Sequence, residues 1–384
     1  MSQRSDSVMI VAGEASGDLY GAELARELRT LAPGTRLIGM GGDRMREAGV
    51  ETLVDANDMA VMGLVEVVGH LPTIVKGFSV LKKRLLSDPP RLLVLIDYQD
   101  FNQRLAKVAK KAGITVLFFI SPTVWAWRSG RVHEIRKVVD MMAVLFPFEV
   151  PFYEKAHVPV SFVGHPLVDM VPPALNRREA RTALGIDPAR RTVGLFPGSR
   201  KGVLKRLLPT VLESAVLLKK SMPELQFVLP LAATLRPADL EPELSASGLE
   251  VAVISGKNHE LMSACDAAIS VSGTVIMELA LVGVPTVLIY KVSPLTYQIG
   301  KRVINVPHIG ICNIVAGKRI IKELIQHEAN PQAIAGEADA LLNDASYRAQ
   351  VVSDLAGVRE KLGSGGALKR LALLARQMME KDAG

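Results

Sequence analysis

Carboxylates, amides and cations gather at the points where short apolar runs of this chain stop. The run Leu92–Ile96 gives way to Asp97-Tyr98-Gln99-Asp100-Phe101-Asn102. Two acids and an amide at one strand end suit general-base work, in which a carboxylate takes the proton of an attacking hydroxyl. Asn102 can equally cap the helix that follows. The run Val8–Ala12 ends in Gly13-Glu14-Ala15-Ser16-Gly17-Asp18. A glycine-containing turn before a helix can hold an anion on its N–H groups, but Glu14 and Asp18 would repel a phosphate. Contacts of Ser16 and Gly17 to sugar hydroxyls, or a catalytic role for Glu14 or Asp18, fit better, with helix capping by Asp18 or Ser16 as the plainer alternative. A third run, Ile114–Ile120, leads into Ser121-Pro122-Thr123-Val124-Trp125-Ala126-Trp127-Arg128, which holds both tryptophans of the chain. Indoles stack on sugar faces and arginines grip phosphate in a fork; simple packing of the loop is the competing account.

The second half changes sign. Pro197-Gly198-Ser199-Arg200 follows an apolar run and precedes a helix carrying Lys201, Lys205 and Arg206. Small residues at a helix N-terminus beside an arginine make a diphosphate cradle. Ser272-Gly273-Thr274 ends another run, and Glu278 stands four residues after Thr274, on the same helical face. Glycine and threonine suit phosphate, and a glutamate offers two acceptors to ribose hydroxyls. No two aspartates stand two apart and the histidines are scattered, with His165 in Gly164-His165-Pro166 ordering a turn. We therefore expect neither metal nor cofactor.

These motifs need rigid elements to hold them. The chain has 384 residues, 49% of them apolar and 22% charged. That is enough for two cores and excludes a disordered or fibrous protein. Two cysteines cannot build a disulfide framework. A net charge of +7 calls for an anionic partner, but aromatics do not interleave with the basic residues, so nucleic acid is not expected. Continuous apolar strands alternate with helical patterns from end to end, which indicates parallel sheets covered on both faces. Prolines 166, 172 and 173 interrupt the pattern, which restarts at Thr192–Phe196. The expectation is an α/β protein of two doubly wound, Rossmann-like domains facing across a cleft. Their expected bounds are 1–172 and 173–345, with a helical tail 346–384 packing back on the first. Ile269–Tyr290 is apolar enough to tempt a membrane-span reading, but Glu278 and Pro285 interrupt it; strand, helix, strand is expected.

Taken together, the motifs resemble the lipid-A-disaccharide synthase family of GT-B glycosyltransferases. The residues concerned are Gly13–Asp18, Gly41–Met45 (GGDRM), Asp100–Asn102, Ser121–Arg128, Phe146–Glu149 (FPFE), Val163–Pro166, Pro197–Arg200, Ser272–Glu278 and Asn313–Gly317 (NIVAG). Three positions depart from the family pattern: Gln99 and Cys312 stand where proline is usual, and Val203 where an acid is common. The resemblance implies inverting transfer of 2,3-diacylglucosamine from UDP-2,3-diacylglucosamine to the 6-hydroxyl of 2,3-diacylglucosamine 1-phosphate. It implies Asp100 as general base, with Glu14 and Asp18 as the other acids. Gly198, Ser199, Arg200, Ser272, Gly273, Thr274, Glu278 and Asn313 would hold the nucleotide. Ser16, Gly17, Asn102, Trp125, Trp127 and Arg128 would hold the acceptor sugar. A homodimer stays open. A hydrolysing UDP-N-acetylglucosamine 2-epimerase and a non-catalytic peripheral lipid binder are the competing readings; the acidic strand ends argue against the latter.

Acylated substrates require a bilayer. Leu64, Val68, Leu71, Val75, Phe78, Leu81 and Leu85 recur at spacings of three and four, with Lys76, Lys82 and Lys83 nearby. This amphipathic stretch is expected to bind anionic lipid on the cytoplasmic face of the inner membrane of a Gram-negative bacterium. Pro72 is expected to break it into a loop or short helix and a longer one. An ordinary core-facing helix is the alternative.

Overall fold

The computed structural model describes residues 5–59, 64–304 and 306–381, without the side chains of residues 64–70 and 295. The chain forms two compact units, residues 1–166 with 363–384, and residues 167–362. The first contains β1 (Ser5–Ala12), β2 (Arg36–Gly41), β3 (Glu51–Asp55), β4 (Pro90–Ile96), β5 (Thr115–Phe119), β6 (Met141–Val144) and β7 (Val160–Phe162). They make one sheet in the order β3-β2-β1-β4-β5-β6-β7, and every pairing is parallel. The second contains β8 (Thr192–Phe196), β9 (Gln226–Leu231), β10 (Val251–Ser255), β11 (Ala267–Val271), β12 (Thr286–Tyr290) and β13 (Glu323–Ile325). Its order is β10-β9-β8-β11-β12-β13, again all parallel.

The central strands are sealed on both faces: Val8–Ala12, Leu92–Ile96 and Ala267–Ile269 are fully buried. Such strands have no polar face, which is why they read as continuous apolar runs. Ile269–Tyr290 folds as the end of β11, the helix Thr274–Val282 and β12.

The unit boundaries differ from those expected at 172 and 345. The helix Ala345–Lys361 buries Val351, Leu355 and Val358 and packs on Thr274–Val282 and Ile311–Ala316, inside the second unit. Only the last helix, Ala367–Lys381, belongs to the first unit, where it lies on the helix Ala15–Leu31 and on β4.

The break expected at Pro72 is absent. Leu64–Ser87 is one helix with the proline inside it. From Ile74 onward it is pinned by a face of Gly77, Leu81 and Leu85, all buried, with Ile74 and Phe78 packed on the same core. Burying one leucine contributes about 1.5–3 kcal/mol, so two offset the roughly 3 kcal/mol cost of an interior proline.

Candidate active site

In an open parallel sheet the ligand crevice opens where the strand order reverses, outside the carboxyl ends of the two central strands. In the first unit that point lies between β1 and β4, paired up to Ala12 and Ile96. The Gly13–Asp18 and Asp97–Asn102 segments therefore sit side by side. The pairing of Ile96 with Phe119 adds the tryptophan loop, and β6 beside β5 adds Phe146–Glu149.

The β4 end is unusual. Asp97 and Tyr98 both have left-handed backbones, with φ of 48° and 47°. Non-glycine residues adopt this conformation rarely, and clusters of it mark functional sites. Tyr98 lies against Gly13, where an added Cβ would come within 2.5 Å of the ring, so only glycine fits there. The Asp97 carboxyl is raised to about 6, first by burial and then by the neighbouring Glu14 charge. Glu14 itself is exposed. Asp97 ends an apolar strand, and that signal was open to a sequence reading that instead singled out Asp100.

Asp100 lies in the first turn of the helix Gln99–Lys111. Its side chain is 80% exposed and pairs with Arg131 at 2.7 Å. Arg131 also donates to Gln103 Oε1 at 2.9 Å. Gln99 occupies the first helical position, where a proline is well tolerated because its N–H has no partner. The departure from the family's proline is thus local and small.

Several expected contacts prove to be internal struts. Asp18 is buried and accepts from Gly42 N at 2.6 Å and from Arg44 N and Met45 N at 3.2 Å. Both its oxygens cap the short helix Asp43–Glu47, so a catalytic role does not fit; this also accounts for the GGDRM motif. Asn102 is fully buried, and its Nδ2 donates to Asp97 O at 2.7 Å and Ile96 O at 3.2 Å. It braces the strained Asp97 rather than reaching a sugar. Gly17 is buried within Ala15–Leu31, close to the Ala12 side chain, whereas Ser16 is exposed.

Trp125 Nε1 donates to Glu149 Oε1 at 3.1 Å, and its ring meets Phe148 edge-on at 4.8 Å. Glu149 also accepts from Phe146 N, and burial raises its carboxyl to about 7. Trp125 is thus anchored inward. Trp127 carries the Arg128 guanidinium over its ring at 4.6 Å, and Arg128 is exposed. His165 is buried against Phe146, and burial lowers it to about 4.

In the second unit the reversal lies between β8 and β11, paired up to Phe196 and Ser270. Gly198–Arg200 and Ser272–Thr274 therefore share one edge. Gly198 has φ +107°, and an added Cβ would meet Val203 Cγ1 at 2.9 Å; the departure at Val203 packs against this turn. Arg200 is exposed and caps the helix Lys201–Ser221 with extended backbone. Gly273 precedes the helix Thr274–Val282, and Gly273 and Thr274 are exposed while Ser272 is partly so. Glu278 is largely buried one turn in, which raises its carboxyl.

Asn313 does not join them. It is fully buried; its Oδ1 accepts from Ile320 N and Ile321 N, and its Nδ2 donates to Glu323 Oε1 at 2.7 Å. Glu323 accepts from Ile309 N and Gly310 N as well. The pair fixes a loop and leaves no group for a nucleotide. Among the described residues no cluster of three or more His, Cys, Asp or Glu could hold a metal ion.

The first unit thus carries an acidic switch point and the second a glycine–serine–arginine one. The family model for lipid-A-disaccharide synthetase matches residues 8–371. The chain belongs to the lipid-A-disaccharide synthase family. It is 58% identical to the lipid-A-disaccharide synthase of Geobacter metallireducens, over 97% of both chains. It is 50% identical to that of Nitrosococcus oceani, over 100% of this chain and 98% of the other. Among solved structures it is similar to the calicheamicin glycosyltransferase, with TM-score 0.61, 16% identity and full coverage of both chains. It is also similar to the UDP-GlcNAc 2-epimerase of Neisseria meningitidis, with TM-score 0.66, 14% identity and coverage of 97% and 100%. Likeness at that identity reports the shared fold alone, so the epimerase reading gains nothing from it. The chain is a hexosyltransferase of lipid A biosynthesis with the GT-B fold. Among the described residues no helix is long and apolar enough to cross a membrane.

Proposed function

We propose that this enzyme transfers 2,3-diacylglucosamine from UDP-2,3-diacylglucosamine to the 6-hydroxyl of 2,3-diacylglucosamine 1-phosphate. The acceptor oxygen attacks the anomeric carbon as the bond to the UDP oxygen breaks, and one displacement inverts the centre. The electron pair leaves with UDP; the hydroxyl proton goes to a carboxylate. The observation that carries this reading is Asp97: partly buried beside Glu14, raised to about 6, and held in a strained turn that Asn102 braces. A base works best with a pKa near the working pH, and Asp97 meets that condition. Asp100, the residue expected from the family motif, has one oxygen engaged by Arg131 and is assigned to orienting the acceptor together with Ser16, Trp127 and Arg128.

The departing diphosphate is received by Arg200 and by the N–H groups opening Lys201–Ser221 and Thr274–Val282, where helix dipoles favour negative charge. Glu278 takes the ribose. These groups need no metal, so turnover should persist in EDTA. Leu71 and Val75, 46% and 59% exposed, with exposed Lys76, Lys82 and Lys83, form a contact for the cytoplasmic face of the inner membrane. Phe78, expected in that contact, packs inward against Phe101 at 5.5 Å and is left out of it. Leu64 and Val68 lie outside the described side chains.

The test is incubation of the pure enzyme with both acylated substrates and EDTA, followed by mass spectrometry. Equimolar UDP and disaccharide 1-phosphate support the proposal. UDP released without the acceptor, or activity only after Mg²⁺ addition, overturns it.

A further inference from the structure

The second unit carries an exposed apolar helix of its own, which the catalytic assignment does not use. Pro294–Val303 leaves the carboxyl end of β12, on the same sheet edge as Gly198–Arg200 and Ser272–Thr274. Its base is firmly rooted. Ser293 caps it by accepting from Thr296 N. Val292 N donates to Gln326 Oε1 at 2.8 Å, and Gln326 Nε2 returns a bond to Val292 O at 3.1 Å. Lys291 Nζ donates to Thr210 Oγ1. Beyond that base, Ile299, Val303 and Ile304 are 54%, 43% and 44% exposed. Ile299 and Val303 are four apart, so they share a face, and exposed Lys301 and Arg302 stand between them.

Charge identifies the occupant. From Lys291 through Lys322 the sequence has six Lys or Arg and no Asp or Glu. Lys301 and Arg302, on the helix itself, are exposed, whereas Lys318 is paired with Asp354 and Lys291 is held by Thr210. Large apolar side chains beside the exposed Lys301 and Arg302, on a segment without acids, match an interfacial lipid-binding helix, with the apolar groups in the acyl boundary and the cations among anionic headgroups. A protein partner with an acidic face would satisfy the cations but not three half-exposed aliphatic side chains.

We propose that Pro294–Val303 and Ile304 form a second bilayer contact, which brings the nucleotide-binding unit to anionic phospholipid independently of Leu64–Ser87. The inference rests on the reading that the enzyme works on acylated substrates at a membrane.

The test is flotation of the full chain with vesicles of phosphatidylglycerol and phosphatidylcholine, and with phosphatidylcholine alone. Two variants are compared: Ile299→Ser/Val303→Ser/Ile304→Ser, and Lys301→Gln/Arg302→Gln. The second changes only exposed surface cations, so it keeps the test valid where the first fails to fold. Removing each cation should weaken partition to anionic vesicles by about fivefold, and the apolar variant should weaken it by about tenfold or more. Partition to phosphatidylcholine alone should be weak for all forms. Unchanged partition of Lys301→Gln/Arg302→Gln on anionic vesicles overturns the proposal. So does a wild-type dimer that the triple variant splits without any loss of vesicle binding, since the face would then be a contact between copies. Turnover of detergent-dispersed substrates by the same proteins separates the two claims. A wild type that fails to turn over sinks the transferase reading, whereas unchanged flotation sinks this one alone.

Discussion

The two units solve one topological problem with opposite chemistry. Each opens a crevice where its strand order reverses, at β1/β4 in the first and β8/β11 in the second. The first fills it with Glu14, Asp97 and Asp100, strained backbone and a buried amide brace. The second fills it with Gly198, Ser199, Arg200, Gly273 and Thr274 at two helix N-termini. Strand order fixes where a ligand can bind; on the proposed assignment, the residues after each strand give one place to proton removal and the other to phosphate. The division also explains why Asn102 is buried. A strained turn persists only when its surroundings over-determine it, and the Asn102 amide supplies hydrogen bonds to Ile96 O and Asp97 O that do so.

The comparison can be broken hardest at Asp97. Asp97→Asn keeps the shape and removes the base, so kcat in a UDP-release assay should fall by about 10²–10⁴-fold. Asp100→Asn should fall much less, because Arg131 and Gln103 still hold each other. If Asp100→Asn is the dead variant and Asp97→Asn is active, the base is Asp100 and the burial argument is wrong.

The second unit is tested by Arg200→Ala. Loss of one charge-assisted bond should weaken UDP binding by about 10- to 150-fold, the equivalent of roughly 1.5–3 kcal/mol. Glu278→Ala should act in the same direction through the ribose. Intact UDP binding in both, measured by calorimetry, would move the nucleotide elsewhere.

A smaller effect concerns the strut. Asp18→Ala leaves three backbone N–H groups without their acceptor and should lower stability by about 1–3 kcal/mol in urea unfolding. A fall in turnover at unchanged stability would instead return Asp18 to the catalytic set.

The smallest effect is on pH. A base raised to about 6 is protonated below that value, so kcat/KM should rise with pH through about 6 and then level off. Glu14→Gln removes the charge that helps raise Asp97, so the acid limb should move to lower pH. The same shift has a stability sign. A carboxyl that binds its proton more tightly when folded favours the folded state at low pH, and this contribution is lost as pH rises from the ordinary carboxylate range through about 6. An acid limb that stays in place in Glu14→Gln would remove Glu14 from the account.

Much of this frame was legible in the sequence, because buried parallel strands must be continuously apolar and their ends must carry the loops. Two strands escaped that reading. β3, Glu51–Asp55, is a half-exposed edge strand, and β13, Glu323–Ile325, has three residues; neither is long or apolar enough to stand out. Residue types at the site were legible, but their orientation was not. Asp18, Asn102 and Asn313 are the polar residues a site would want, yet each faces inward to backbone groups from other segments, which spacing cannot reveal. Asp97 escaped selection for the converse reason: its partial burial and its nearness to Glu14 arise from the pairing of β1 with β4. The helix Leu64–Ser87 mixes both outcomes, since one apolar arc at helical spacing divides into Leu81 and Leu85 within the core and Leu71 and Val75 outside it.

The division of labour is tested most directly by titrating Asp97→Asn with UDP in a calorimeter. The account predicts a dissociation constant within about twofold of wild type, because nothing that holds UDP has changed while the base has been removed. A loss of affinity of about tenfold or more would contradict it, since Asp97 would then belong to the nucleotide and the two switch points would not divide the chemistry as described.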